Sequence, residues 1–131
     1  MNRIFLTPIF LATAALAGPY DQPYSLIQSE RHFPSADPLV IPVIVNRVDG
    51  ETVTNKGAVP PGPHQVTVDV PPRKGFHTGT QNTFALETKP CVRYYVAARL
   101  KSRALQEWTP IVRSEERLRD CEARFHVAGA Q

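Results

Sequence analysis

The sequence predicts a small all-β protein: an antiparallel β-sandwich of about seven short strands that follows an extended N-terminal arm. Short segments alternate apolar and polar residues with a period of two, and turn residues separate them at regular intervals. No long segment has the periodicity of a helix, and 13 prolines in 131 residues argue against a helical bundle. A chain of this length forms one domain.

The first seventeen residues have the features of a secretory signal peptide. Arg3 supplies a positive charge, a mostly apolar run follows from Ile4 to Leu16, and Ala15-Leu16-Ala17 is a small-x-small cleavage pattern. The run is shorter than the roughly 20 apolar residues that a membrane-spanning helix needs. We therefore expect cleavage between Ala17 and Gly18, no transmembrane segment, and a periplasmic or secreted mature protein.

Residues 18–38 are rich in Pro, Ser, Gln and Asp and have no sustained period. This composition predicts an extended or poorly ordered arm. Its aromatic residues Tyr20, Tyr24 and Phe33 are the side chains with which it would dock on the domain or on a partner. The sandwich domain is predicted to span residues 39–131.

The first half of the domain is predicted to form strands around tight turns. The segment from Leu39 to Val48 is apolar and β-branched, and Pro42 within it indicates a bulge or an edge position. Asp49-Gly50 predicts a hairpin turn, with a short return strand from Glu51 to Val53. The segment from His64 to Val70 alternates cleanly, which predicts a half-buried strand.

The second half is predicted to contain four more strands. Thr83 to Thr88 is a short strand, Val92 to Leu100 is the longest, and Trp108 to Val112 is a strand interrupted by a proline. For Ser114 to Val127 we expect a short turn followed by a strand that holds Cys121 on one face. No internal repeat or low-complexity tract interrupts this arrangement.

Two local stretches resemble the PEGA-type domains found outside bacterial cytoplasmic membranes. Val48-Asp49-Gly50-Glu51 is similar to the end of a hydrophobic strand with its Asp-Gly turn, and Pro61 to Val68 is similar to the Pro-Gly-x-His step that begins the next strand. The strand Val92 to Leu100 looks like a strand of related envelope proteins. The Pro-Glu-Gly-Ala sequence itself is absent. The resemblance implies a prealbumin-like sandwich that serves as a binding or structural module, with no catalytic residue.

The two cysteines, Cys91 and Cys121, are predicted to form a disulfide, since an isolated pair outside the cytosol usually becomes one. Neither has a Cys or His within four residues, so a zinc site is not indicated. Closing this loop of about 31 residues would stabilise the fold by about 3–4 kcal/mol.

The sequence assembles neither a catalytic set nor a metal-binding set. The four histidines are far apart in sequence and are predicted to be surface residues: His32, His64, His77 and His126. No serine lies in a Gly-x-Ser-x-Gly motif. The carboxylate pairs Asp49 with Glu51 and Glu115 with Glu116 are better explained as turn and solvated residues. We therefore predict no enzymatic activity, no metal and no cofactor.

The net charge of +3 does not indicate nucleic-acid binding, because basic and acidic residues interleave late in the chain. Interleaved charges are typical of a solvated, ion-paired surface rather than of a basic stripe. An anionic envelope polymer remains a possible partner.

The predicted interaction face lies on the polar side of the strand Val92 to Leu100. Arg93, Tyr95 and Arg99 share this side, and Trp108 is added from the next strand, since arginine and aromatic residues are favoured binding anchors. For Trp108 a place in the core is the favoured interpretation, and for Tyr95 the core and the face are equal alternatives.

These observations predict an exported, non-enzymatic binding or structural module of the bacterial cell envelope that engages another protein. One alternative is a module that binds carbohydrate or cell-wall polymer, with Tyr95 and Trp108 as stacking platforms. A second alternative is a small secreted hydrolase or inhibitor, in which His64, His77 and a carboxylate would converge.

Overall fold

A computed structural model describes residues 18–30, 36–71, 81–103 and 107–127. The predicted signal peptide, residues 1–17, lies outside this part of the chain. The described residues form nine strands, a short 3-10 helix and one α-helix: β1 Ser25–Ser29, β2 Val40–Pro42, β3 Ile44–Val48, β4 Glu51–Thr52, the 3-10 helix Asn55–Gly57, β5 Ala58–Val59, β6 Gly62–Asp69, β7 Gln81–Thr88, β8 Val92–Leu100, β9 Trp108–Arg117 and α1 Arg119–Phe125.

The strands form two sheets. In the sheet built around β8, here called the β8 sheet, β9 pairs with one side of β8, while β1 and β2 share the other side and β5 pairs with β1. The second sheet, here called the β6 sheet, has the order β4-β3-β6-β7. The predicted all-β sandwich is confirmed. It differs from the prediction in having nine described strands and one parallel pair, β1 with β8.

The core lies between the inner faces of the two sheets. Alternation in β6 turns Val66 and Val68 inward, where both are 0% exposed, and the same period buries Val96 of β8. Phe84 and Leu86 of β7 pack against this cluster. Each buried aliphatic side chain contributes about 1.5–3 kcal/mol, so these strands hold the sandwich together.

The predicted arm contributes a strand to the core. Ile27 in β1 is 1% exposed, and the buried hydroxyl of Ser25 donates a hydrogen bond of 2.7 Å to the carbonyl oxygen of Lys89. The prediction that residues 18–38 lie outside the sandwich is therefore wrong for β1. Two adjacent apolar residues are too few to show a period, and β8, the strand that pairs with them, comes much later in the chain.

The segment from Leu39 to Val48 was predicted to form one strand, but it is divided between the two sheets. Val43 lies buried at the crossing point between β2 and β3, and Pro42 ends β2 at an edge, as expected. Asp49 and Gly50 have φ angles of +53° and +79° and join β3 to β4, which confirms the predicted hairpin turn.

The prediction for the last part of the domain is wrong. β9 continues as far as Arg117, where a turn was expected, and Cys121 lies on a helix rather than on a strand. The helix α1 has seven residues and Cys121 is its buried residue, so it is too short to show an apolar period. Within the described ranges, no helix has the length and apolar character needed to cross a membrane.

Candidate functional site

The structure places the four residues of the predicted interaction face in three different environments. Arg93 and Tyr95 are half-buried neighbours on the outer face of the β8 sheet. Arg99 lies near the other end of the same strand, where its Nη1 is 3.1 Å from the carboxylate of Asp37. Trp108 is 8% exposed and belongs to the core cluster. Including Trp108 in the face was wrong, because β9 pairs it with an inward-facing residue of β8.

Arg93 is the best-connected residue of this face. Its Nη1 donates hydrogen bonds of 3.3 Å to the hydroxyl of Tyr95 and to the carboxylate of Glu116. Its guanidinium carbon lies over the ring of Tyr95, 5.9 Å from the ring centroid, which is a cation–π distance. Its Nε is buried and has no hydrogen-bond partner among the described residues. This guanidinium therefore lacks one acceptor, and an unmatched buried donor costs about 1–3 kcal/mol.

A groove of about 700 Å³ opens beside Arg93, and we call it the α1 groove. It lies between the ends of β8 and β9, the start of β1, and the helix α1. Its apolar side chains come from Tyr24, Leu26 and Leu118. The lining residues are Tyr24, Leu26, Arg93, Glu115, Glu116, Arg117, Leu118, Arg119, Asp120 and Cys121.

The disulfide fixes α1 as one wall of this groove. Cys91 and Cys121 are joined, with their Cα atoms 5.4 Å apart, so the predicted disulfide is confirmed. The N–H of Leu118 donates to the carbonyl oxygen of Cys91 at 2.9 Å. The Nε and Nη2 of Arg117 donate to the carboxylate of Glu122 at 3.2 and 2.9 Å. These contacts attach the short helix to Cys91, the residue before β8, and to the end of β9.

The α1 groove carries charges of both signs, with three arginines and three carboxylates among its lining residues. Arg93 pairs with Glu116. Arg119 and Asp120 are exposed at the start of α1 and form no ion pair with another described residue. A surface of mixed sign does not favour a polyanion such as nucleic acid, whose binding needs a stripe of positive charge.

His64 is buried, so the prediction of a surface role is wrong for this residue. Its Nδ1 lies 2.6 Å from the Oδ2 atom of Asp49, and its Nε2 lies 2.5 Å from the carbonyl oxygen of Pro60. The N–H of Gln65 donates to Oδ1 of Asp49, and this bond, followed by the one to His64, lowers the pKa of the Asp49 carboxyl. Both ring nitrogens have partners, so His64 links the turn at Asp49 to the connector at Pro60.

The described ranges contain no group of three or more His, Cys, Asp or Glu residues that could hold a metal ion. His126 ends α1 with a left-handed φ of +55°. His32 and His77 lie outside the described residues, and so does the predicted convergence of His64 with His77.

The fold and the site define a disulfide-linked β-sandwich with a surface groove beside a half-buried arginine. No family model matches the chain, and no curated protein or solved structure gives a significant match. The hairpin at Asp49-Gly50 and the alternating strand β6, on which the PEGA resemblance rests, are both present. The resemblance itself stays a prediction.

Proposed function

We propose that the protein is an exported, non-enzymatic module of the bacterial cell envelope that binds another protein through the α1 groove. The observation that carries this proposal is Arg93, whose guanidinium stands in the wall of the groove with a buried, unmatched Nε. Buried polar groups are satisfied in the great majority of cases, and exceptions require an explanation. We infer that a partner in the groove draws the guanidinium outward from its covered position and supplies the missing acceptor.

The composition of the groove supports a protein partner. Apolar side chains at the centre and charged residues at the rim are the usual anatomy of a protein interface. Arginine and tyrosine are also enriched among the residues that dominate binding energy, and Arg93 and Tyr95 are in contact here. A volume of about 700 Å³ is within the range of sites that bury a drug-sized ligand, which is sufficient for a short peptide segment.

A carbohydrate partner has less support than the sequence suggested. Sugar rings stack on exposed aromatic faces, but Trp108 lies in the core. The guanidinium of Arg93 lies over the ring of Tyr95, where a sugar would have to stack. Trp108 is therefore lost as a stacking platform and Tyr95 shares its ring with Arg93, which makes the protein partner the better proposal.

Export is proposed from the N-terminal sequence together with the disulfide. The apolar run that ends at Ala17 is typical of a cleaved signal peptide, which would make Gly18 the first residue of the mature chain. The disulfide between Cys91 and Cys121 is of the kind that persists in the periplasm or outside the cell. Intact mass of the purified protein tests both points, because it reports cleavage and the loss of two thiol protons.

Affinity purification from a cross-linked envelope fraction tests the binding function. The tagged mature chain is compared with the Arg93→Ala/Tyr95→Ala double variant and with Arg99→Ala, a matched control on the same face of β8. We expect the wild type and the control to retain the same proteins and the double variant to lose them while remaining folded. Retention of every protein by a folded double variant would overturn the proposal. Retention of cell-wall polymer alone would favour the carbohydrate alternative.

A further inference from the structure

The outer edge of β7 is a long strand edge that no other strand covers in the part of the chain that the structure describes. The order β4-β3-β6-β7 puts β7 at the end of its sheet. β7 pairs with β6 over eight consecutive positions without a register shift. Because successive backbone N–H and C=O groups of a strand point to opposite sides, half of those in β7 point away from β6.

The other outer strands carry features that prevent pairing with further strands. β4 and β5 have two residues each, and β2 has three. β9, the long edge of the β8 sheet, contains Pro110, a bulge at Arg113 and a charged segment from Glu115 to Arg117. β7 has no proline, no lysine and no bulge, and Glu87 is its one charged residue. The edge of β7 is therefore the one long described edge that is open to pairing.

The inner side of β7 presents apolar side chains at this edge. Phe84 and Leu86 pack against the core but are only partly buried, so part of their surface stays in contact with solvent. Asn82 and Thr88 flank them on the same side of the strand. A strand added at this edge would cover the exposed parts of both apolar residues.

We propose that β7 is the interface of a homodimer, in which two copies of the chain pair their β7 strands antiparallel across a two-fold axis at Ala85. The period of two requires the axis to lie on a residue, because inward residues must stay opposite inward residues if the two β6 sheets are to join. Among such positions, Ala85 is the one that pairs the two apolar residues of β7 with each other. With Ala85 on the axis, Phe84 lies opposite Leu86 of the other copy, and Asn82 lies opposite its Thr88. Apolar residues thus meet apolar ones, and polar residues meet polar ones.

The outer side of the paired strands is compatible with the same register. Ala85 meets its own counterpart, and Thr83 meets Glu87 of the second copy, so no like charges lie opposite each other. Such a contact uses the same patch on both copies and closes after two, as an isologous interface does. Within the monomer, the side-chain amide of Asn82 donates to the backbone carbonyl oxygen of Trp108 at 3.5 Å, which holds the start of β7 beside the start of β9.

Substitutions at one exposed position test the dimer and its register together. Thr83 lies opposite the uncharged Thr67 within the monomer and opposite Glu87 of the second copy in the dimer. Thr83→Glu therefore creates two like-charge pairs in the dimer, and Thr83→Lys creates two attractive pairs. From the usual strength of such cross-strand pairs, we expect Thr83→Glu to raise the dimer dissociation constant roughly fivefold and Thr83→Lys to lower it roughly fivefold.

Sedimentation velocity of the mature chain, from about 1 to about 100 µM, is the measurement. The wild type is expected to form a dimer within this range, and Ala85→Lys, which places two lysines on the axis, is expected to be monomeric. Gln65→Lys lies on the same sheet face but on β6, away from the paired edge, and is the control. A wild type that stays monomeric throughout, or equal weakening by Thr83→Glu and Thr83→Lys at unchanged melting temperature, would overturn the proposal.

Discussion

The carboxylate of Asp49 lies 2.6 Å from Nδ1 of His64, and this contact links the β3–β4 hairpin to the start of β6. The other ring nitrogen of His64 faces the carbonyl oxygen of Pro60. The two ring nitrogens of His64 thus face two hydrogen-bond acceptors, a carboxylate and a backbone carbonyl. The histidine therefore holds a turn and a connector in place, and this explains why it is buried.

This link predicts that the free energy of unfolding depends on pH in the acid range. The pKa of Asp49 is lowered, chiefly by the hydrogen bond from the N–H of Gln65 and then by the bond with His64. A carboxyl with a lower pKa in the folded state stabilises the fold above its unfolded pKa, and this contribution is lost as the pH falls through the folded pKa. We expect Asp49→Asn to lower the free energy of unfolding at pH 6, with a difference that shrinks below about pH 4.

Urea denaturation of both proteins between pH 3 and pH 7 measures this difference. Asparagine tolerates the left-handed φ of position 49, so the substitution leaves the turn geometry intact. Glu51→Gln changes an exposed carboxyl of the same hairpin and is the control. A loss of stability that is the same at every pH would contradict the role assigned to the Asp49 carboxylate.

Gly50 and Gly57 have nearly equal φ angles but different surroundings, so substitutions at the two positions distinguish backbone strain from a steric clash. Gly50 has a φ of +79° with open space around it, whereas a Cβ at Gly57, with a φ of +80°, would lie 2.2 Å from the backbone carbonyl oxygen of Ile27. We expect Gly50→Ala to cost about 1 kcal/mol, from strain alone. Gly57→Ala should cost clearly more, because the 3-10 helix must move away from β1. Denaturation curves of the two variants are the measurement, and equal losses would contradict this packing.

The buried position of Trp108 predicts its spectroscopy and its contribution to stability. Its emission should be blue-shifted in the folded protein and should not change when cell-wall polymer is added. Trp108→Ala should lower the free energy of unfolding by about 3–5 kcal/mol, whereas Thr109→Ala, at the exposed neighbouring position, should change it little. A red emission that shifts with polymer would place Trp108 on the surface and restore the carbohydrate alternative.

The disulfide is expected to stabilise both the fold and the α1 groove. Replacing Cys91 and Cys121 together with alanine should lower the free energy of unfolding by about 3–4 kcal/mol. A seven-residue helix is not stable by itself, so the backbone amides of α1 should exchange hydrogen faster in this variant. Chemical denaturation and hydrogen exchange measure the two effects. Unchanged protection of α1 would show that packing against the sheet, and not the disulfide, holds the helix.

The parts of the fold that sequence predicts well are those in which a local pattern is sufficient. The strands β6 and β8 alternate over eight and nine residues, and their inward sides are buried as expected. Asp49-Gly50 forms its turn because both residues accept positive φ angles. The disulfide followed from the number of cysteines and the expected compartment.

The parts that sequence does not predict depend on distant partners. Ile27 is buried because β1 pairs with β8, and nothing near Ile27 in the sequence indicates that strand. The helix α1 depends on the disulfide and on contacts with β9. Arg93 and Tyr95 were selected correctly as outward residues of β8, but the groove beside them is formed by segments at both ends of the described chain.

A site-specific photo-cross-link tests the proposed function most directly. A photoactivatable amino acid replaces Arg119, which is exposed in the α1 groove, or Ile44, which is 48% exposed in the β6 sheet. In living cells we expect a discrete adduct with another envelope protein from position 119, none from position 44, and loss of the adduct in the Arg93→Ala/Tyr95→Ala background. The same adduct from both positions, or an adduct that persists in the folded double variant, would contradict binding through this groove.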